Sequence, residues 1–330
     1  MDLAFLFIEW LGKPAWMWLS FLAIVAALLT FDLGVLHRNN REIEVRESLL
    51  LSAMYIGLGL AFGGWVWWQL GAEPGMNYLT GFVVEKTLAL DNVFVIALIF
   101  SFFAVPRLYQ HRVLFWGILG VIVLRAIMIG LGATLVSEFS WVLYLFAAFL
   151  IITGIQMLVM GDKEPEIDQN PLVRFMRRRF NVTDEHHGQD FFVKKPDQQT
   201  GRMVWFMTPL FMALVMVEIA DVIFAVDSVP AIFAITTDPF IVYTSNIFAI
   251  LGLRALYFAL AAVLHRFAYL KQALAILLVF IGGKIFVADL LGWEKFPAEW
   301  SLAVTFVILA SGVAYSLWRT RRDEKGTAAA

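Results

Sequence analysis

The chain has 330 residues, 61% of them hydrophobic and 16% charged, against roughly 25% charged in an ordinary soluble domain. Too little polar surface is available to cover a water-soluble body of this size, which excludes a soluble enzyme and places most of the chain in lipid. A net charge of −2 gives no basic field for nucleic acid, and the absence of cysteine excludes disulfides, thiolate metal sites, iron–sulfur clusters and thiol redox chemistry.

The N-terminus, Met1-Asp2-Leu3-Ala4-Phe5-Leu6, lacks the basic region and small-residue cleavage pattern of a signal peptide, so it is expected to be retained. A spanning helix needs about 20 mainly apolar residues. Nine segments qualify: Ala15 to Leu36, Ser48 to Leu70, Tyr78 to Ala104, Val113 to Leu135, Trp141 to Met160, Val204 to Ala231, Phe240 to Leu264, Leu270 to Leu291 and Trp300 to Trp318. The expected fold is therefore an all-α polytopic membrane protein with nine transmembrane helices, a single transmembrane domain over 1–330. With Lys271, at the edge of the eighth span, counted in its connection, 19 Lys and Arg fall in alternate connections and 2 in the others, which predicts an outside N-terminus and a cytoplasmic C-terminus. The one long connection, 161–203, reads as a solvated cytoplasmic loop whose Arg177-Arg178-Arg179 touch anionic head groups. A metal or pH sensor in its Asp184-Glu185-His186-His187 cluster is the sharper alternative. Residues 319–330 read as a cytoplasmic tail that anchors topology and frays at its end. The Trp residues at span ends, such as Trp65, Trp67 and Trp68, read as interfacial anchors.

Four basic residues, Lys86, Arg125, Arg254 and Lys284, fall inside spans, with five carboxylates: Glu85, Asp91, Glu218, Asp221 and Asp227. Asp32 and Asp289, near span ends, read as interfacial. Each charge at the bilayer centre costs about 2.5 to 3.5 kcal/mol on insertion scales, so such groups face a protein interior and are paired, protonated or bound to a cation. The charges also reveal internal similarity. Glu85-x5-Asp91-Asn92-Val93 matches Asp221-x5-Asp227-Ser228-Val229, Leu124-Arg125-Ala126 matches Leu253-Arg254-Ala255, and Gly154-Ile155-Gln156 matches Gly282-Gly283-Lys284. Spans three to five and six to eight are thus expected to be copies of a three-helix unit. Three is odd, so the copies cross the bilayer in opposite directions, the inverted repeat common in secondary transporters.

Glu218 and Asp221, three residues apart, share a helix face. Glu85 and Asp91 lie about 120° apart around an ideal helix, as do Asp221 and Asp227, so one regular helix does not aim both at one ion. Pro230 removes a helical N–H, which predicts a break in the sixth span beside Asp227 and Ser228. The expected metal ligands, Glu85, Asp91, Asn92, Glu218, Asp221, Asp227 and Ser228, are hard oxygen donors suited to Mg²⁺, Mn²⁺ or Ca²⁺. All five histidines, His37, His111, His186, His187 and His265, fall at or outside span ends, which disfavours a soft-metal site. Arg125 and Arg254 are expected to clamp carboxylates, with Lys86 and Lys284 as further supporting charges. Five carboxylates against four cations leave room for a transported divalent cation. A site that releases such a cation takes up protons in its place, so divalent-cation/H⁺ exchange is expected, with no permanently bound cofactor. The alternative is a network that locks the helices together and carries nothing. With no nucleophile–base pair and no HExxH-type motif, an enzyme is not expected.

These same residues carry a resemblance. Glu85-Lys86-x4-Asp91-Asn92-Val93-Phe94-Val95, Val217-Glu218-x2-Asp221-Val222-Ile223-Phe224-Ala225-Val226-Asp227-Ser228-Val229-Pro230-Ala231, Thr237-Asp238-Pro239-Phe240-Ile241, Thr244-Ser245-Asn246-Ile247-Phe248-Ala249-Ile250-Leu251-Gly252-Leu253-Arg254-Ala255 and Phe31-Asp32-Leu33-Gly34 resemble the signature stretches of the TerC/Alx family of integral membrane proteins. The resemblance implies a bacterial inner-membrane protein associated with manganese export, tellurium resistance and alkaline-induced expression, placed with the LysE-type transporter superfamily. The family's acidic motif residues would map onto Glu85, Asp91, Glu218, Asp221 and Asp227. A redox-modulator role is also proposed in the family. The lack of cysteine argues against direct thiol chemistry here, and an acidic site is a poor receptor for an oxyanion such as tellurite.

Overall fold

The computed structural model describes residues 6–36, 45–139, 141–160, 171–183, 185–196, 202–260, 270–293 and 296–327, with all their side chains except those of 32–36, 45, 90, 91, 94, 160, 171, 172, 227, 270, 271 and 320–327. It is a bundle of α-helices with two short hairpins. Strands β1 (Glu9–Trp10) and β2 (Lys13–Pro14) form a small antiparallel hairpin ahead of helix α1 (Ala15–Leu36). Then follow α2 (Val45–Leu70), α3 (Ala72–Phe102), α4 (Arg107–Glu138), α5 (Val142–Met160) and α6 (Pro171–Arg179). The antiparallel pair β3 (Phe192–Pro196) and β4 (Met203–Met207) leads into α7 (Pro209–Phe233), α8 (Pro239–Ile250), α9 (Leu253–Leu260), α10 (Leu270–Leu290) and α11 (Ala298–Thr327).

Seven segments, among the described residues, are long and apolar enough to cross a membrane: the spans on α2, α4, α5, α7, α8 with α9, α10 and α11. The apolar part of α1 described there, Ala15–Phe31, is shorter. Helix α3 carries Glu73, Glu85, Lys86 and Asp91 within 31 residues, which breaks up its apolar run although its length of about 46 Å is ample. Helix starts follow ordinary capping chemistry. The Thr208 hydroxyl accepts from the Phe211 N–H ahead of Pro209, and the Asp238 carboxylate accepts from the Phe240 and Ile241 N–H groups ahead of Pro239.

Two sequence expectations change. Helix α7 runs through Pro230 without a break, and the interruption comes in the next span, at Leu251 and Gly252, where Gly252 has φ +82. Pro230 forfeits one bond, the one an N–H there would make to the Val226 carbonyl, and α7 continues three residues beyond it; the left-handed turn that parts α8 from α9 instead uses the glycine that reaches it without steric cost. Secondly, much of the 161–203 connection is folded. Helix α6 buries Val173 and Met176 in the cluster that contains Ile96, Phe100, Leu210 and Met216, while its Arg174, Arg177, Arg178 and Arg179 are exposed. The β3–β4 hairpin seats Met207 on the same cluster, with Phe191 just ahead of β3, so the connection caps one end of the bundle. An amphipathic sequence with an apolar stripe buries that stripe when a partner is within reach, and here the chain's own core is that partner.

The helices pair as an internal twofold would require. Helix α3 packs on α8 as α7 packs on α4, and the most extensive contact joins α5 to α10. At that contact a Cβ on Gly154 would sit 2.6 Å from the Ala275 carbonyl oxygen and 2.7 Å from Val279, and one on Gly282 would sit 2.5 Å from the Ala147 carbonyl oxygen and 2.9 Å from Ile151. One constant shift along the sequence carries Gly154 onto Gly282, Ala147 onto Ala275 and Ile151 onto Val279. Each helix therefore gives the other the same close approach.

Gly154→Ala and Gly282→Ala are accordingly expected to lower the thermal unfolding midpoint to a similar extent, at about 1–3 kcal/mol each. Gly130→Ala and Gly283→Ala, where a Cβ meets nothing within 4 Å, are expected to be neutral or stabilising. Unfolding curves of the four purified variants in detergent make the comparison; uniform behaviour would mean a looser α5–α10 contact.

Candidate metal centre between the two half-sites

Helices α3 and α7 carry the matching acidic motifs and pass each other in opposite directions. The register is visible in the side chains. Near Glu85 on α3 lies Ser228 of α7, bridged by Arg125 of α4; two turns further along α3, Asn92 meets Asp221, which lies two turns earlier on α7. Positions that match in sequence thus change places across the contact, as in an inverted repeat.

Arg125 is the centre of the first half. Its Nη2 lies 2.8 Å from Glu85 Oε1 and its Nη1 donates to Ser228 Oγ at 2.6 Å. Asn246 Nδ2 of α8 donates to the other Glu85 oxygen at 3.0 Å. Both oxygens of Glu85 are therefore engaged and its charge is neutralised, with Arg125 and Glu85 each 2% exposed. The clamp expected of Arg125 is present. Asn246 is a component that sequence reasoning did not select; its signal was a carboxamide inside an otherwise apolar span.

The second half is different. Asp221 accepts from Asn92 Nδ2 at 3.3 Å. Glu218, one turn earlier, lies against Gly120 of α4, where any side chain would collide with its carboxylate. Among the described residues, neither Glu218 nor Asp221 has a Lys or Arg within ion-pair distance. Ionised carboxylates only accept, so the Asn92 and Asn246 amides must turn their nitrogens toward Asp221 and Glu85. Their carbonyl oxygens, Asn92 Oδ1 and Asn246 Oδ1, are left buried with no hydrogen-bond donor. Unmatched negative charge beside unmatched buried acceptors calls for a positive group.

The side chains of Asp91 and Asp227 lie outside the described residues, as do those of Asp32 and Asp184. Among the described residues no three of His, Asp and Glu come together as a metal cluster. Arg254 is buried at the start of α9 and bonded. Among the described residues Lys86 and Lys284 form no ion pair with a carboxylate: Lys86 donates to the carbonyls of Ala249 and Leu251, and Lys284 to Ser301 Oγ at 2.9 Å. Mutual neutralisation of buried charges is seen for Glu85 with Arg125 among the described residues. His186 Nε2 lies 3.1 Å from the Phe103 carbonyl oxygen and ties the cap to the end of α3, while His187 lies 3.9 Å from Glu185 within the cap itself. The Lys195 ammonium beside the exposed Glu185 holds its carboxyl below the usual range.

At the end of the bundle opposite the cap, a cavity of about 290 Å³ opens between the start of α3 and the ends of α7 and α10. Glu73, Asn77, Thr236, Lys284 and Asp289 are among its lining residues.

Residues 70–324 match the family model described as integral membrane protein TerC family. The chain is 46% identical over 310 residues to an uncharacterised membrane protein of Myxococcus xanthus, covering 94% of each chain. It is 45% identical over 302 residues to an uncharacterised membrane protein of Rickettsia bellii, covering 92% of this chain and 97% of that one. Over 323 residues it is 44% identical to an Escherichia coli protein with the provisional name membrane-bound redox modulator Alx, covering 95% of this chain and 98% of that one. No solved structure matches the chain.

Removing Arg125 alone strands a buried carboxylate. Arg125→Met is expected to cost about 3–5 kcal/mol of stability, and adding Glu85→Gln to recover a substantial part of it. A double-mutant cycle on thermal unfolding checks this; simple additivity would deny the pair its coupling.

Proposed function

This chain belongs to the TerC family of integral membrane proteins, and we propose that it exports a divalent cation, Mn²⁺, across the bacterial inner membrane in exchange for protons. In this reading it is a transporter with nine crossings, an outside N-terminus and a cytoplasmic C-terminus, and not an enzyme. The observation that carries the proposal is the second half of the centre: Glu218 and Asp221 on one face of α7 without a basic partner among the described residues, beside the buried, donorless oxygen of Asn92. These are hard oxygen donors, which favour Mn²⁺, Mg²⁺ or Ca²⁺ over softer ions. Asp91, Asp227 and Ser228 complete the proposed cation path, while Arg125 and Arg254 position carboxylates.

The reciprocal packing supports a cycle in which one repeat rocks against the other about a site near the midplane. In this orientation the cap covers the cytoplasmic end and the cavity at Glu73 and Asp289 faces outward, on the route by which a cation leaves. Protons replace the cation on the emptied carboxylates, so the pH gradient and metal flux are coupled.

A second reading, in which buried charges are structural and nothing is carried, draws on the saturated hydrogen bonding of Glu85. Flux separates the two. Purified protein in vesicles with an imposed pH gradient is expected to move Mn²⁺ against the proton flow, and a protonophore is expected to stop it. Asp221→Asn, Glu218→Gln, Asp91→Asn and Asp227→Asn are each expected to reduce flux at least about tenfold, equivalent to about 1.4 kcal/mol. No flux from the wild type, together with unchanged cellular manganese when the protein is absent, would leave only the structural reading; undiminished flux in all four variants would take these carboxylates off the cation path.

A further inference from the structure

A helix that ends inside the membrane leaves the carbonyls of its last turn without donors and presents the negative end of its dipole. Helix α8 does this at Ile250. Leu251 leaves the helical path at φ −55, ψ 131, Gly252 follows at φ +82, and Ile250 and Leu251 are both buried. Tyr55 of α2 lies so close over Gly252 that a Cβ there would sit 2.6 Å from it. The break is thus covered by a packed side chain.

Among the described residues, the Lys86 ammonium reaches it. Lys86 Nζ donates to the Ala249 carbonyl at 2.9 Å and lies 3.4 Å from the Leu251 carbonyl oxygen. Among the described residues no carboxylate lies within ion-pair distance of Lys86. Its neighbour Glu85 turns instead toward Arg125 and Asn246.

The other repeat supplies an internal control. The motif match puts Val222 in the place of Lys86 and Ile122-Val123 in the place of Leu251-Gly252. Helix α4 runs unbroken through Ile122 and Val123, and Val222 is 37% exposed on the outside of α7. Lysine and break occur together in one copy, and neither occurs in the other. The ammonium is therefore matched to the exposed carbonyls and is not a general counter-ion for the acidic centre.

Unwound carbonyls at the C-terminal end of a half-helix are the ligands that coupling Na⁺ ions take in secondary transporters. Neutral carbonyls and one helix end compensate a single positive charge, which suits a monovalent ion and not a divalent one. We propose that the broken α8 forms a monovalent-cation site that the Lys86 ammonium permanently fills, so that the protein needs no alkali-metal ion and shortening this side chain uncovers a site for Na⁺ or K⁺. The inference does not depend on which ion the acidic centre carries.

Thermal unfolding of the purified full chain in choline chloride, NaCl and KCl at equal ionic strength tests it. The wild type is expected to show one midpoint in all three salts. Lys86→Ala is expected to unfold at lower temperature in choline and to regain at least about 2 °C, saturably, in NaCl or KCl. Lys86→Arg keeps a cation at the break and is expected to stay insensitive to the salt. Equal midpoints for Lys86→Ala in the three salts would overturn the proposal, as would specific stabilisation of the wild type or of Lys86→Arg by an alkali ion. Should Lys86→Ala yield no folded protein in any salt, the wild-type and Lys86→Arg measurements decide. No flux enters this readout, so failure of the cation site and failure of the export reading are distinguishable.

Discussion

The guanidinium of Arg125 holds three helices at one point. Its fork reaches Glu85 on α3 with one nitrogen and Ser228 on α7 with another, from α4. Both bonds form together only when α3 and α7 stand in a single register, since sliding either helix by a turn would move one partner about 5.4 Å away. In a medium that hydrates neither partner, a misplaced register leaves a bare charge. That penalty fixes where Asn92 meets Asp221, and through them the place where negative charge is left unmatched. A planar, permanently charged group suits this bridging role better than a lysine would.

Most of the helical layout and the identity of the buried charges were legible in the sequence, because lipid tolerates so few polar residues that each one stands out. The matching positions that suggest a repeat, Glu85 with Asp221, Arg125 with Arg254 and Gly154 with Gly282, stand out for the same reason. Depth could be read, whereas direction around the helix could not. Glu85 and Lys86 are neighbours in sequence and look like one ion-pair cluster, yet they serve different partners on different sides of α3. Asn246 was passed over because an amide carries no net charge and does not register in a count of carboxylates. The break in the wrong helix has a similar origin. Proline advertises a missing N–H whatever its position, whereas Gly252 acts through a φ angle that only the packing of Tyr55 and α8 reveals.

The folded connection between α5 and α7 shows how tertiary context overrides a polar composition. Four arginines on α6 outweighed two apolar side chains in the reading of a solvated loop, but the arginines need only stay in water while Val173 and Met176 need a core. The two ends of the bundle are therefore built differently. One is capped by a helix and a hairpin, and the other holds the cavity between helix ends. This asymmetry sits on a core whose packing is nearly symmetric, so the difference between the two faces comes from the connections more than from the repeats.

Helix α8 also bears on biogenesis. Its 12 residues rise only about 18 Å, short of the roughly 30 Å of hydrocarbon, and Thr244, Ser245 and Asn246 are fully buried within it. Such a segment is a poor substrate for lateral release into lipid on its own, because it has both an internal end and a polar stripe. The helices that shield it, α2, α3 and α4, are all synthesised earlier. The earlier part of the chain is thus in place to receive α8 when α9 completes its crossing.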